Sequence, residues 1–258
     1  ESCDVFFYKV GEAVGVDTLA TYAGMFGLGE RTGIHLDNEG RGLIPTSEWK
    51  KRQIGEAWQK GETLNISIGQ GFNLTTPLQM LVLTSAVANG GNIYQPQIVK
   101  RAETADGSEV ETMEPVVKGH LTVTPESMDI VKRGLWEVVN TKKGTARGIK
   151  MDQVSISGKT GTAQLVTSKK PEKGKTKNKN EPSDESLPHA WFVAYAPSAA
   201  PRVAVAVIVE HGEHGSTAAA PVAKELIKAY LEKQEQDNWL ATAQTRQTPL
   251  DGMVVVGE

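Results

Sequence analysis

The sequence predicts an α+β fold. Three observations carry this. Apolar residues recur at helical spacing over residues 4–28 and again after Thr76-Pro77, three strand-like segments cluster between residues 154 and 209, and one amphipathic helix closes the pattern. The order is helices first, then three strands, then a closing helix.

In order, residues 4–28 read as two helices, with Phe7, Val10 and Val14 on the first and Leu19, Tyr22, Ala23 and Phe26 on the second. They break at Gly15-Val16-Asp17, where Asp17 can cap the second. Residues 29–60 are a polar connection holding one short helix from Ser47 to Arg52, with Ser47 as a candidate cap. Leu64 to Phe72 alternates and closes on Gly69-Gln70-Gly71. Thr76-Pro77 opens a helix, threonine at the N-cap and proline in the first turn, that is apolar nearly all round and is therefore expected to be central. Residues 92–123 alternate weakly around Asp106-Gly107, a hairpin signal. Thr124-Pro125 starts the next helix, with Met128, Val131, Leu135, Trp136 and Val139 on its expected inner face.

A strand over residues 154–166 follows. Residues 167–188 are polar and lysine-rich, too poor in apolar surface to order themselves, and read as a mobile loop. Residues 189–196 and 202–209 are strands whose connection is framed by Pro197 and Pro201, predicting an antiparallel pair. The closing helix, 218–233, would bury Val222, Leu226, Ile227 and Tyr230, and residues 234–258 read as a loose tail.

Bulk properties set the limits. A chain of 258 residues with 39% hydrophobic and 23% charged residues can bury a full core. A net charge of −3 argues against nucleic acid as the main partner. One cysteine, Cys3, permits no intrachain disulfide; it is expected to point into the core. No apolar run is long enough to span a bilayer. His211-x-x-His214 lacks companion ligands and reads as a loop, so no metal and no cofactor is expected.

The chemically suggestive stretch is Ser157-Gly158-Lys159-Thr160-Gly161-Thr162-Ala163, a strand interrupted by glycines. Glycine in a strand marks a close approach to the backbone. One cation and two short hydroxyls beside it suit a bound carboxylate, while backbone N–H groups can face a reacting carbonyl. The plainer reading is a bulged surface strand with a solvated lysine.

Together with Ser2-x-Asp4, Ile68-Gly69-Gln70-Gly71, Thr76-Pro77-Leu78-Gln79 and His189-Ala190-Trp191-Phe192, this stretch resembles the transpeptidase domain of class B penicillin-binding proteins, of the penicillin-binding-protein-2 type that acts in cell elongation. The resemblance implies a penicillin-binding, serine β-lactamase-like fold, an antiparallel sheet with helices on both sides, of which residues 1–233 would be the C-terminal portion. It implies that Ser2 relays a proton to the leaving amine and that Asp4, in place of the commoner asparagine, would raise the pKa of the catalytic lysine. Lys159 would supply positive potential, Thr160 and Thr162 would bind the substrate's terminal carboxylate, and Gly161 would let substrate lie against the strand. For Ser2 and Asp4 the plainer reading is a helix N-cap. Trp191 and Phe192 read as core, and Gly69-Gln70-Gly71 as a loop beneath the site, fixed by packing.

In this family the nucleophile sits in a Ser-x-x-Lys motif upstream of Ser-x-Asn. Here the sequence opens at the second motif, so the nucleophile is expected outside this chain and the chain alone is expected to be inactive. Ser47-Glu48-Trp49-Lys50 fits the string but falls in the wrong order, and reads as a decoy. The implied activity is a D,D-transpeptidase that cross-links peptidoglycan stem peptides and is acylated by β-lactams. The implied place is the periplasm, on a membrane-anchored protein that meets elongation-machinery membrane proteins through its N-terminal part. The alternative is a catalytically silent penicillin-binding or scaffolding module; a β-lactamase fits less well, because Glu62-Thr63-Leu64-Asn65 is one residue short of the Glu-x-x-x-Asn spacing. With only three strands of such a sheet, the last would expose an apolar edge.

Overall fold

A computed structural model describes residues 2–165 and 187–246. The expected loop at 167–188 lies almost wholly outside the described residues, as do residues 247–258 of the expected tail.

Helices α1 (Asp4–Val14) and α2 (Val16–Met25) meet at Gly15, the N-cap of α2. Asp17 does not cap α2. Its carboxylate instead accepts from the Ser47 N–H at 2.9 Å and the Ser47 hydroxyl at 2.7 Å, tying α2 to α3 (Ser47–Gln53). The cap of α3 is Thr46, whose hydroxyl accepts from the Trp49 N–H at 2.9 Å; Ser47 is the first helical residue. Residues 64–72, read as an alternating run, are the end of a helix, α4 (Lys60–Ser67), and the turn after it. Glu62 explains this: its carboxylate accepts from the Gln59 N–H at 2.8 Å and closes the first turn.

Helix α5 (Pro77–Ala88) begins as expected, with Thr76 and Gln79 capping each other reciprocally. The Gln79 amide also donates to the carbonyls of Glu30 and Arg41, so a buried polar side chain anchors the long 29–46 connection. Two small antiparallel pairs follow, β1 (Asn92–Tyr94) with β4 (Val117–His120) and β2 (Arg101–Glu103) with β3 (Glu109–Thr112). The second turns at Asp106-Gly107, where the hairpin was expected.

Helix α6 (Pro125–Asn140) is capped by Thr124. It buries Met128, Val138 and Val139, while Val131 and Trp136 are exposed, against expectation. The central sheet has the order β5 (Ser157–Ala163), β6 (His189–Ala196), β7 (Val203–Val209), antiparallel throughout. Its register sets Thr160 opposite Phe192 and Phe192 opposite Val207. Helix α7 (Ala220–Arg246) follows a π-helical turn at Gly215–Ala219 and runs past the expected end at residue 233. Its inner face is Ala220, Ala223 and Ile227, whereas Val222, Leu226 and Tyr230 are exposed. Helix α7 was phased by its largest residues, but it packs on the sheet largely through the small side chains of Ala220 and Ala223. The core joins Val139, Ile156, Phe192, Ala194, Val207 and Ile227. Among the described residues β7 pairs only with β6, so it is an edge.

Candidate active site

Strand β5 is fixed first at its buried end. Ser157 is fully buried and donates to Ser198 at 2.8 Å; Ser155 also donates to Ser198, at 3.1 Å, and accepts from the Trp136 indole at 2.8 Å. Asn140 on α6 donates to the Ile156 carbonyl at 2.8 Å. Burial raises the pKa of the neighbouring Tyr195 phenol, with the Ser157 hydrogen bond acting the other way. These bonds satisfy the polar groups that enter the core and set the direction in which the strand leaves it.

Beyond Gly158 the strand turns polar and partly open. Lys159 Nζ donates to Ser2 Oγ at 2.9 Å and to the Thr160 carbonyl at 2.6 Å, with Thr160 Oγ1 at 3.4 Å. The Ser2 contact joins groups 157 residues apart in sequence. Ser2 does not cap α1: the N-cap is Cys3, which makes no side-chain cap bond. Cys3 is exposed, not in the core, because the start of α1 lies at the surface. Asp4 is the first residue of α1, exposed, and near enough to act on Lys159 through its charge. Burial pushes the Lys159 ammonium below the ordinary lysine range, and the Asp4 carboxylate pulls it partly back.

Thr160 Oγ1 also meets Thr145 Oγ1 at 3.2 Å. At Gly161 the strand is hemmed in: an added Cβ would sit 3.1 Å from the Trp191 Cβ, and one on Gly215 would sit 2.7 Å from the Gly161 carbonyl oxygen. Thr162 is exposed, and its carbonyl accepts from Gln70 Nε2 at 2.7 Å. Gln70 Oε1 in turn accepts from the Gln164 N–H at 3.3 Å. The 69–71 loop is therefore tied to β5 by hydrogen bonds, which packing alone did not anticipate. A glutamine between two glycines was the only sequence signal for it.

Ser2, Asp4, Lys159 and Thr160 thus form one group, with Gly161 and Thr162 next along the same strand. Ser47 and Lys50 belong to another. Ser47 is held by Asp17, and Lys50 by Glu62 at 2.6 Å and Glu56 at 3.5 Å. Hydrogen bonding to Glu62 outweighs burial and raises the Lys50 pKa, the wrong direction for a base. Phe192 is buried core and Trp191 partly so. His211 is in a loop, its N–H donating to His189 Nδ1 at 3.0 Å. Among the described residues, no group of three or more His, Cys, Asp or Glu is placed to hold a metal.

An anchored cation, two hydroxyls and an open strand edge can hold a carboxylate and present N–H groups to a carbonyl. Comparison with known proteins points the same way. The family model for the penicillin binding protein transpeptidase domain matches residues 1–228. The chain is 37% identical over 238 residues to the peptidoglycan D,D-transpeptidase MrdA of Haemophilus influenzae, covering 91% of this chain and 36% of that protein. Penicillin-binding protein 2 of Pseudomonas aeruginosa, solved in complex with WCK 5153, is similar with a TM-score of 0.73 and 34% identity, over 88% of this chain and 47% of that one. The Helicobacter pylori complex of penicillin-binding protein 2 with MreC is similar with a TM-score of 0.70 and 29% identity, over 88% and 38% of the respective chains. The chain therefore spans about a third of the length of the curated relative it matches.

Proposed function

The chain belongs to the penicillin-binding protein transpeptidase family, in its penicillin-binding-protein-2 (MrdA) type, and on that premise we propose that it forms part of a serine D,D-transpeptidase that cross-links peptidoglycan stem peptides. The observation that carries this reading is the 2.9 Å bond from Lys159 to Ser2, which places a lysine of lowered pKa and a hydroxyl beside Thr160 and Thr162.

The nucleophile is a serine in a Ser-x-x-Lys motif on residues preceding Ser2 in the parent protein. The string in this chain, Ser47 to Lys50, has its lysine locked in the charged state. That serine attacks the carbonyl of the penultimate D-alanine, forming a C–O bond as the lysine of its motif takes the hydroxyl proton. The Thr162 N–H donates to the oxyanion. As the C–N bond breaks, Ser2 delivers the proton to the departing D-alanine amine, and Lys159 keeps Ser2 in place. Thr160 and Thr162 bind the terminal carboxylate. An amine from a second stem peptide then takes the acyl group and releases the serine. A β-lactam enters the same steps and stops at the acyl-enzyme.

Residues 1–233 are the C-terminal portion of the transpeptidase domain. The exposed apolar side chains of α1 (Val5, Phe6, Phe7) and the unpaired edge of β7 support a fold completed by further sequence. Periplasmic placement and contact with membrane proteins of the elongation machinery are part of the same reading of that whole protein; a penicillin-binding protein 2 of Helicobacter pylori forms a complex with MreC. No described helix is long and apolar enough to cross a membrane.

The test is intact-mass spectrometry after exposure to a penicillin, on this chain and on the full gene product. An adduct on the full product alone supports the reading. An adduct on this chain at Ser47 or Ser2 overturns the assignment of the nucleophile. No adduct on either leaves a silent binding module as the better account.

A further inference from the structure

Gln70 lies 92 residues from Thr162 in sequence, yet its amide makes both hydrogen bonds that a neighbouring strand residue would make: it donates to the Thr162 carbonyl at 2.7 Å and accepts from the Gln164 N–H at 3.3 Å. A carbonyl at one position and an N–H two residues on are the groups a strand presents along one edge. The amide thus fills the next slot on the β5 edge away from β6. Because the N–H and C=O of one residue point to the same side of a strand, the Thr162 N–H faces that same edge.

The support for Gln70 is equally specific. It sits between Gly69 (φ +80°) and Gly71 (φ +71°), conformations that other residues rarely adopt. An added Cβ on Gly71 would come within 3.4 Å of Asn65. The Gln70 N–H returns to the Asn65 carbonyl at 3.0 Å, and the Asn73 amide donates to the Ile66 carbonyl at 3.0 Å. The loop is thereby wound onto the end of α4, whose first turn Glu62 closes by accepting from the Gln59 N–H. On β5, Lys159 occupies the Thr160 carbonyl and Gln70 the Thr162 carbonyl.

We propose that Gln70 is a positioning residue for acyl transfer: its amide splints residues 162–164 as a surrogate strand partner and so aims the Thr162 N–H at the reacting carbonyl. This rests on the transpeptidase reading above. It also limits the edge open to a peptide, since the slot beyond Thr162 is already taken.

The test uses the full-length gene product, with Gln70→Ala and Gln70→Glu. Its readouts are the acylation rate by a fluorescent penicillin at pH 8 and pH 5, and amide hydrogen exchange over residues 162–164. A misaimed donor should slow Gln70→Ala by about 10- to 100-fold at both pH values, with faster exchange at Gln164. In Gln70→Glu the carboxylate can accept from Gln164 but repels the Thr162 carbonyl; once protonated it can donate again. Its deficit relative to wild type should therefore shrink at least about threefold from pH 8 to pH 5. A purely structural role would not show that recovery. Gln70→Ala within about twofold of wild type, an equal Gln70→Glu deficit at both pH values, or unchanged exchange would overturn the proposal. If the wild-type protein takes no penicillin at all, the transpeptidase reading fails by itself. Exchange then decides the splint: faster exchange supports it and unchanged exchange refutes it.

Discussion

Lys50 and Lys159 are both removed from bulk water, and their surroundings drive them in opposite directions. Lys50 is the more buried, only 2% exposed, yet its pKa is raised, because its ammonium lies 2.6 Å from Glu62 with Glu56 at 3.5 Å and donates to the Ala57 carbonyl at 3.1 Å. Lys159 is half-buried, and its hydrogen-bond partners are neutral, the Ser2 hydroxyl and the Thr160 carbonyl; its pKa is lowered. At Lys50 the hydrogen-bonded carboxylate of Glu62 outweighs burial, whereas at Lys159 burial outweighs the pull of the Asp4 carboxylate, so the two shifts have opposite signs. This separates the Ser47-x-x-Lys50 string, which has the expected spelling, from the place where the chemistry is assembled.

The largest expected effect comes from removing the responsive lysine. Lys159→Ala in the full gene product should slow penicillin acylation by about 10²–10³-fold with little change in thermal midpoint. Retention of the rate within about threefold would break the comparison. Lys50→Met should do the reverse. It leaves Glu62 and Glu56 without their shared counter-charge, so the midpoint should drop by about 5 °C or more in a thermal melt, while the folded fraction is acylated within about threefold of wild type.

What could be seen from the sequence was what local chemistry writes. Thr76-Pro77 and Thr124-Pro125 start helices because a hydroxyl and a ring satisfy the first turn without help from elsewhere. Asp106-Gly107 turns a hairpin for the same local reason, and β6 and β7 carry their own apolar runs. Lys159, Thr160, Gly161 and Thr162 were legible because they are contiguous. Long-range choices were hidden. Asp17 had an adequate cap role nearby and was taken by Ser47 instead; α7 turned its alanines, not its larger residues, to the core; Cys3 stayed outside. Gln70 depends on a strand 92 residues away, and no spacing rule reaches that far.

The third effect is a shift in pH response. Asp4 raises the Lys159 pKa against the lowering by burial, so Asp4→Asn should lower it further. If acylation needs the charged ammonium, the alkaline limb of the rate profile moves to lower pH. Stability carries a matching sign. A lysine whose folded pKa lies below its unfolded value costs stability where both states hold the proton, and the cost is relieved as pH rises through the folded value toward the unfolded one. Denaturant titrations should therefore show stability rising over that window, and Asp4→Asn should start the rise at lower pH. An alkaline limb that stays in place, or moves up, would assign the limb to another group.

The smallest effect should come from the decoy serine. Ser47 donates to Asp17 at an exposed site, and the cap of α3 is Thr46. Thr46→Ala should cost about 1 kcal/mol, the usual value of a hydroxyl cap, and Ser47→Ala about half of that or less. Neither should alter penicillin acylation by more than about twofold, because Lys50 cannot give up its proton to activate Ser47 while Glu62 holds it. The two substitutions are adjacent, on one helix end, so a comparison of their denaturation midpoints cancels most global effects. Were Ser47→Ala to abolish the adduct while Thr46→Ala left it, the raised pKa of Lys50 would no longer separate a spelled motif from a working one. The nucleophile would then have to be placed at the start of α3.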